Sequence, residues 1–158
     1  MKSNLISKSE TVDIMKQISE TWNIELPKIK NLRFHHLSDN EIIITGNGIT
    51  AIKIDDKILP HLSETELLKK FPFVVVDVGA IKFVCKGANV MRPGITKLSN
   101  FENDEIVCVI EESNNKFLSI GITKMSSDEA NSTKTGIVIE NLHYISDKYW
   151  ETKKEIKD

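Results

Sequence analysis

Four histidines, two cysteines and acidic pairs such as Asp55-Asp56 and Glu111-Glu112 are among the side chains of this 158-residue chain with the types most often used in catalysis or metal binding. His35 and His36 are neighbours in a strand-like stretch. Adjacent strand side chains point to opposite faces, so the two do not chelate one metal together. His143 follows Leu142 in a late strand pattern and reads as a hydrogen-bonded packing residue; His61 is the fourth histidine. Cys85 shares an apolar face with Ile81 and Val84, as an inert core thiol does. Together Cys85 and Cys108 offer neither a metal-ligand spacing nor a disulfide framework. Asp55-Asp56 and Glu111-Glu112 each end a strand pattern without further clustered oxygen ligands, so both read as solvated turns. Gly46-Asn47-Gly48 joins two strands and precedes no helix, which makes it a hairpin rather than a phosphate loop. The chain has no Gly-x-Ser-x-Gly elbow, no Gly-x-x-x-x-Gly-Lys loop and no His-Glu-x-x-His pair. The expectation is a protein with no catalytic residues, no metal and no cofactor.

A different chemistry is written between Val76 and Ile95. Helical spacing there puts Ile81, Val84 and Cys85 on one face, and Lys82 and Lys86, four apart, together on another. Gly79 and Ala80 leave the first turn without bulk, so a polymer backbone approaches closely, and free amides at a helix start favour phosphate. Gly87 reverses the chain and brings Asn89 and Arg92 back toward the helix. From Val78 to Phe101 there is no acid, while Lys82, Lys86, Arg92 and Lys97 all fall in that window. This is the one sizeable positive island, a cationic ledge for phosphates. By charge alone, the same lysines also read as the solvated face of an amphipathic helix.

The rest of the chain must position that ledge. Hydrophobic residues make up 40% and charged residues 28%, a globular composition, and the net charge of −2 excludes a generally cationic RNA coat protein. Apolar runs such as Phe73–Val76 fall far short of the roughly 20 residues of a membrane helix. No signal-peptide core follows Met1-Lys2-Ser3-Asn4. With two apolar-flanked cysteines, the expected compartment is reducing and cytoplasmic. A capping box at Ser7–Glu10 opens a helix with Val12, Met15, Ile18 and Trp22 on one face. Strands are expected at 30–37, 41–45 and 49–54, and a second capping box at Ser63–Glu66 opens a short helix closed by Phe71-Pro72. Beyond it come a strand at Phe73–Val76 and a helix at 78–86, capped by Asp77 and by a left-handed Gly87. Further strands are expected at 106–111, 117–123 and 136–145, with a polar, mobile segment over 126–135. A helical turn at 147–150 and a frayed tail from Lys153 end the chain. The boundary between two domains is expected at residue 71.

The run Val76-Asp77-Val78-Gly79-Ala80, then Gly87-Ala88-Asn89-Val90-Met91-Arg92-Pro93-Gly94-Ile95, resembles the signature of the PUA domain. That domain is a small barrel named for pseudouridine synthases and archaeosine transglycosylases. The Lys134–Ile139 strand and the ending Leu142-His143-Tyr144-x-x-Asp147-x-x-Trp150 are similar to the malignant T-cell-amplified sequence family and the N-terminal region of ligatin. The resemblance spans residues 72–150, and residues 1–71 match that family's pre-PUA domain in length and element order. It implies an α+β protein: a pre-PUA α+β domain over 1–71, then a PUA mixed β-barrel with a flanking helix over 72–158. It implies a non-enzymatic, RNA-binding role in translation, on tRNA or small-subunit rRNA, in initiation or ribosome recycling. The implied partners are structured RNA, the small ribosomal subunit and a separate initiation-factor-1-like protein. Lys82, Lys86 and Arg92 would meet phosphates, Asn89 would hydrogen-bond, Gly79 and Ala80 would allow close approach, and Lys97 is a weaker contact. Two other classes stay open: an adaptor holding a protein partner, and an accessory subunit guiding tRNA or rRNA to a modification enzyme.

Overall fold

The computed structural model of the protein describes residues 1–157, and residue 158 of the expected C-terminal domain lies outside the described residues. The chain divides into two compact units, Met1–Glu64 and Thr65–Asp158. The first contains β1 (Lys2–Leu5), α1 (Lys8–Trp22), β2 (Arg33–Ser38), β3 (Glu41–Gly46), β4 (Ile49–Ile54) and β5 (Lys57–Pro60). Its strands form one antiparallel meander in the order β1-β2-β3-β4-β5. The start of α1 is fixed locally, for the Ser7 hydroxyl accepts from the Glu10 amide. Its end is a left-handed Asn23, whose N–H donates to the Ser19 carbonyl. Ile18 and Trp22 are buried on the helix face, and Trp22 Nε1 donates to the Ile58 carbonyl at 2.9 Å. Burying side chains of this size contributes about 1.5–3 kcal/mol each.

The second unit runs through α2 (Thr65–Leu68), β6 (Phe73–Val76), a 3-10 turn (Val78–Ala80), α3 (Ile81–Val84), β7 (Val90–Met91), a 3-10 turn (Arg92–Gly94) and β8 (Ile95–Leu98). It continues with β9 (Ile106–Glu111), β10 (Phe117–Thr123), α4 (Ser127–Ser132), β11 (Ile137–Tyr144) and α5 (Lys148–Glu155). Six strands form a nearly closed barrel in the order β7-β11-β10-β9-β6-β8. The sheet is mixed because β6 runs parallel to β9 and antiparallel to β8. Val74, Val76, Val107, Val109, Ile139 and Val138 fill its interior. Gly121 makes a tight crossing possible: a Cβ there would lie 2.2 Å from the Glu140 carbonyl, beside the register shift where β10 meets β11.

Several expected elements differ in extent. The helix expected over 78–86 is a 3-10 turn followed by one α-helical turn ending at Val84. The segment 126–135 is not a mobile loop but carries α4. Ser126 caps it by accepting from the Glu129 amide, Ala130 is buried in the barrel core, and the Ser127 hydroxyl exchanges hydrogen bonds with the main chain of Phe101. The terminal helix continues past Lys153 to Glu155, because Asp147 caps it and Lys153 and Lys154 sit in its last turn, where cations are favoured. Strands β1, β5 and β8 are as short as β6 but, unlike Phe73–Val76, are not unbroken apolar runs, and β7 is shorter still, so none of the four is among the expected strands. The division falls at Glu64, ahead of the expected residue 71. Helix α2 lies in the second unit, where the Cys108 thiol donates to the Leu68 carbonyl.

Candidate nucleic-acid interface

The segment 77–95 is wound onto the barrel by short-range bonds. Asp77 accepts from the Ala80 amide at 3.1 Å, which starts the 3-10 turn, and its own N–H donates to the Gly94 carbonyl at 3.1 Å. Helix α3 buries Val84, with Ile81 and Cys85 packed beside it against the core. Gly87 has φ 95°, its N–H donates to the Val84 carbonyl, and the Ala88 N–H donates to the Phe83 carbonyl. This double closure is a Schellman cap, and it requires a left-handed residue at the position Gly87 occupies.

The cap fixes what faces solvent. Lys82 and Lys86 are both exposed on α3 and its cap. Gly79 is exposed and Ala80 half-buried, so the first turn presents little bulk. Phe83 is 56% exposed and Met91 46% exposed, and the Lys82 ammonium lies 5.1 Å from the Phe83 ring centroid. Ala80, Phe83, Asn89, Met91 and Gly94 are among the residues lining a groove of about 270 Å³. The arrangement is therefore a cationic ledge beside an apolar groove with an aromatic lip.

The expected site residues divide. Gly79, Ala80, Lys82 and Lys86 stand together on the turn, α3 and its cap. Asn89 is exposed on the groove, but its Oδ1 accepts from the Asn141 amide at 3.0 Å, so only its amide NH₂ side faces outward unused among the described residues. Arg92 is half-buried, and two of its guanidinium nitrogens donate to the carbonyls of Ala130 and Ile95. Lys97 is exposed on β8 opposite Val75 and is not one of the groove residues.

Three features escaped the sequence reading. Phe83 is off the stripe formed by Ile81, Val84 and Cys85, a phase that marks it as outward-facing. Met91 alternates with buried Val90 in β7 and faces out by the same period-two rule. Lys116 needed the fold: burial pushes the Cys85 thiol up, and the Lys116 charge opposes part of that rise.

The candidate chemical side chains are structural. His35 is buried and hydrogen-bonded to Ser3 and Thr45, whereas His36, on the opposite face, bonds Asn4. Buried His143 bonds Asp147, which also caps α5. Burial drives the Cys108 thiol up to about 12. Glu111 is held down at about 2, chiefly by the Ser113 hydroxyl and also by the amides of Lys116, Asn114 and Ser113. Among the described residues, no three His, Cys, Asp or Glu side chains converge as metal ligands do. No helix among them is long and apolar enough to cross a membrane.

The PUA domain model matches residues 72–145. Malignant T-cell-amplified sequence 1 of Danio rerio is 34% identical over 163 residues, covering 97% of this chain and 90% of its own. Translation machinery-associated protein 20 of Schizosaccharomyces pombe is 35% identical over 156 residues, with coverages of 92% and 84%. A hypothetical protein of Pyrococcus horikoshii, solved by crystallography, superimposes with TM-score 0.81 at 29% identity, covering 96% of this chain and 99% of that one. The turn, the glycine-capped helix and the mixed barrel that carry the ledge are thus accompanied by similarity along nearly the whole chain, and the protein belongs to the PUA-domain family of the malignant T-cell-amplified sequence proteins.

Proposed function

We propose that the protein is a non-enzymatic, cytoplasmic RNA-binding factor of translation, and that its PUA barrel holds structured RNA on the Lys82–Lys86 ledge. The observation that carries this reading is the ledge's position beside the groove lined by Phe83 and Met91. Phosphates meet the two ammonium groups, and an unpaired base enters the groove against Phe83, a combination suited to a helix with a single-stranded end. Asn89 offers its amide to that base. Gly79 and Ala80 let the backbone approach. The RNA is tRNA or small-subunit rRNA, and the step is initiation or ribosome recycling. Support comes from the translation-associated name of the fission yeast relative. The N-terminal unit is the pre-PUA domain, and it is where an initiation-factor-1-like partner docks.

A salt titration tests the reading. Binding of total tRNA and of a small-subunit rRNA fragment is measured for the wild type and for the Lys82→Ala/Lys86→Ala variant. Each lost phosphate contact reduces the slope of log affinity against log salt by just under one, so the variant is expected to bind more weakly with a slope shallower by roughly one to two units. An unchanged slope in a folded variant places the RNA surface elsewhere. Absence of RNA binding by the wild type favours the adaptor class.

A further inference from the structure

Three parts of the proposed interface converge on one strand residue that the sequence did not single out. Asn141 of β11 donates from Nδ2 to the Val84 carbonyl and to the Ala88 carbonyl, each at 3.0 Å. Its main-chain N–H donates to Asn89 Oδ1 at 3.0 Å. The two carbonyls bracket Lys86 and Gly87, so the amide spans the turn that presents Lys86. The third bond orients Asn89 across the same turn. Meanwhile Asn141 Oδ1 is buried with no hydrogen-bond partner among the described residues. An unsatisfied buried oxygen is destabilising, by more than a typical hydrogen bond gains. A side chain retained at that cost is there for its NH₂ donors, which add a second bond to the Val84 carbonyl, already paired with the Gly87 N–H, and hold the Ala88 carbonyl just beyond the helix end.

Resting on the RNA-binding reading above, we propose that Asn141 is a positioning residue of the interface, fixing the 84–89 turn so that Lys86 and Asn89 are presented together to RNA. It touches no RNA itself. Its amide replaces ordering that binding would otherwise have to impose on the turn, and preorganisation of that kind appears as affinity.

The test uses the full chain with Asn141→Asp and Asn141→Ala, total tRNA as probe, and amide hydrogen exchange. In Asn141→Asp an ionised carboxylate faces two carbonyls. Its affinity at pH 7 is expected to fall about tenfold relative to wild type, as the loss of two hydrogen bonds predicts. In Asn141→Ala, which adds no charge, the salt slope stays that of wild type, since no phosphate-contacting side chain is removed. Two facing carbonyls and partial burial raise the Asn141→Asp carboxyl above the ordinary range, so on acidification to about pH 5 it takes up a proton and regains a donor, and the affinity ratio to wild type moves back toward one. Asn141→Ala is weakened without that recovery. In both variants the amides of Gly87 and Ala88 exchange faster while those of the barrel strands do not. Folded variants that bind like wild type overturn the proposal, as does a loss accompanied by a shallower salt slope in Asn141→Ala. Loss of barrel protection in both variants also overturns it, by reducing Asn141 to a structural role. Wild type that binds no RNA overturns the functional reading itself, whereas wild type that binds no better than Asn141→Asp overturns this proposal alone.

Discussion

Arg92 Nε donates to the Ala130 carbonyl at 2.5 Å, binding the turn after β7 to the buried face of α4. Nη1 reaches the Ile95 carbonyl at 3.2 Å, and the Arg92 N–H donates to the Gly136 carbonyl at 2.9 Å. One residue thus joins three segments of the barrel wall, and its charge is committed largely to main-chain acceptors.

Arg92→Ala is therefore expected to act mainly on stability. Removing a charged donor from two carbonyls costs about 1.5–3 kcal/mol, seen as a lower midpoint in urea denaturation with an unchanged m-value. Arg92→Lys recovers little, because an ammonium lacks the planar fork that meets both carbonyls. The salt slope for RNA should change by less than one unit. A full-unit change with unaltered stability would make Arg92 a phosphate contact instead.

Gly87 tests the cap. Its φ is 95°, and a Cβ built there would lie 3.1 Å from Tyr144 Cε1. Gly87→Val combines a left-handed β-branched residue with that crowding, so a loss of at least about 1 kcal/mol is expected in chemical denaturation. Gly87→Ala should cost less, since it lacks the branch. A loss near zero for the valine variant would show that the turn relaxes freely.

Glu111 supplies a pH dependence. In the folded protein its carboxyl is held at about 2, below the ordinary 4.5, chiefly by the Ser113 hydroxyl, with main-chain N–H groups of the β9–β10 turn adding to it. A depressed folded pKa means the unfolded chain binds the proton first. Its contribution is complete above pH about 4.5 and is lost as pH falls toward about 2. Glu111→Gln lacks this titration. The stability difference between wild type and variant should be widest at neutral pH and narrow steadily below pH about 4.5. A difference constant from pH 7 to pH 3 would remove Glu111 from the acid response.

The candidate site was legible where its geometry is made by near neighbours. Asp77 and Gly87 follow from the cap each end of a short helix needs, and the i, i+4 spacing of Lys82 and Lys86 already puts them on one side. The same holds for β9 and β10, found at the expected 106–111 and 117–123, because β9 is an apolar run, β10 alternates apolar with small residues, and both are bounded by turn residues. Helix α4 was hidden by its polar composition. Its cap, Ser126 to the Glu129 amide, is a local signal, but the burial of Ala130 that makes the helix worthwhile is not.

Local residues determined the caps, the turns, the lysine pair and the absence of a long apolar helix, since each depends on groups within one or two turns of one another. The fold decided which of the basic and polar residues remain available. Arg92 is bound to a carbonyl 38 positions away, and Asn89 to an amide 52 positions away. Neither partner is marked by spacing or type. The strand order places β11 between β7 and β10 and so carries Asn141 to the end of α3. Such pairings are fixed only when the barrel closes, because buried main-chain groups must find acceptors and donors wherever the packed strands bring them.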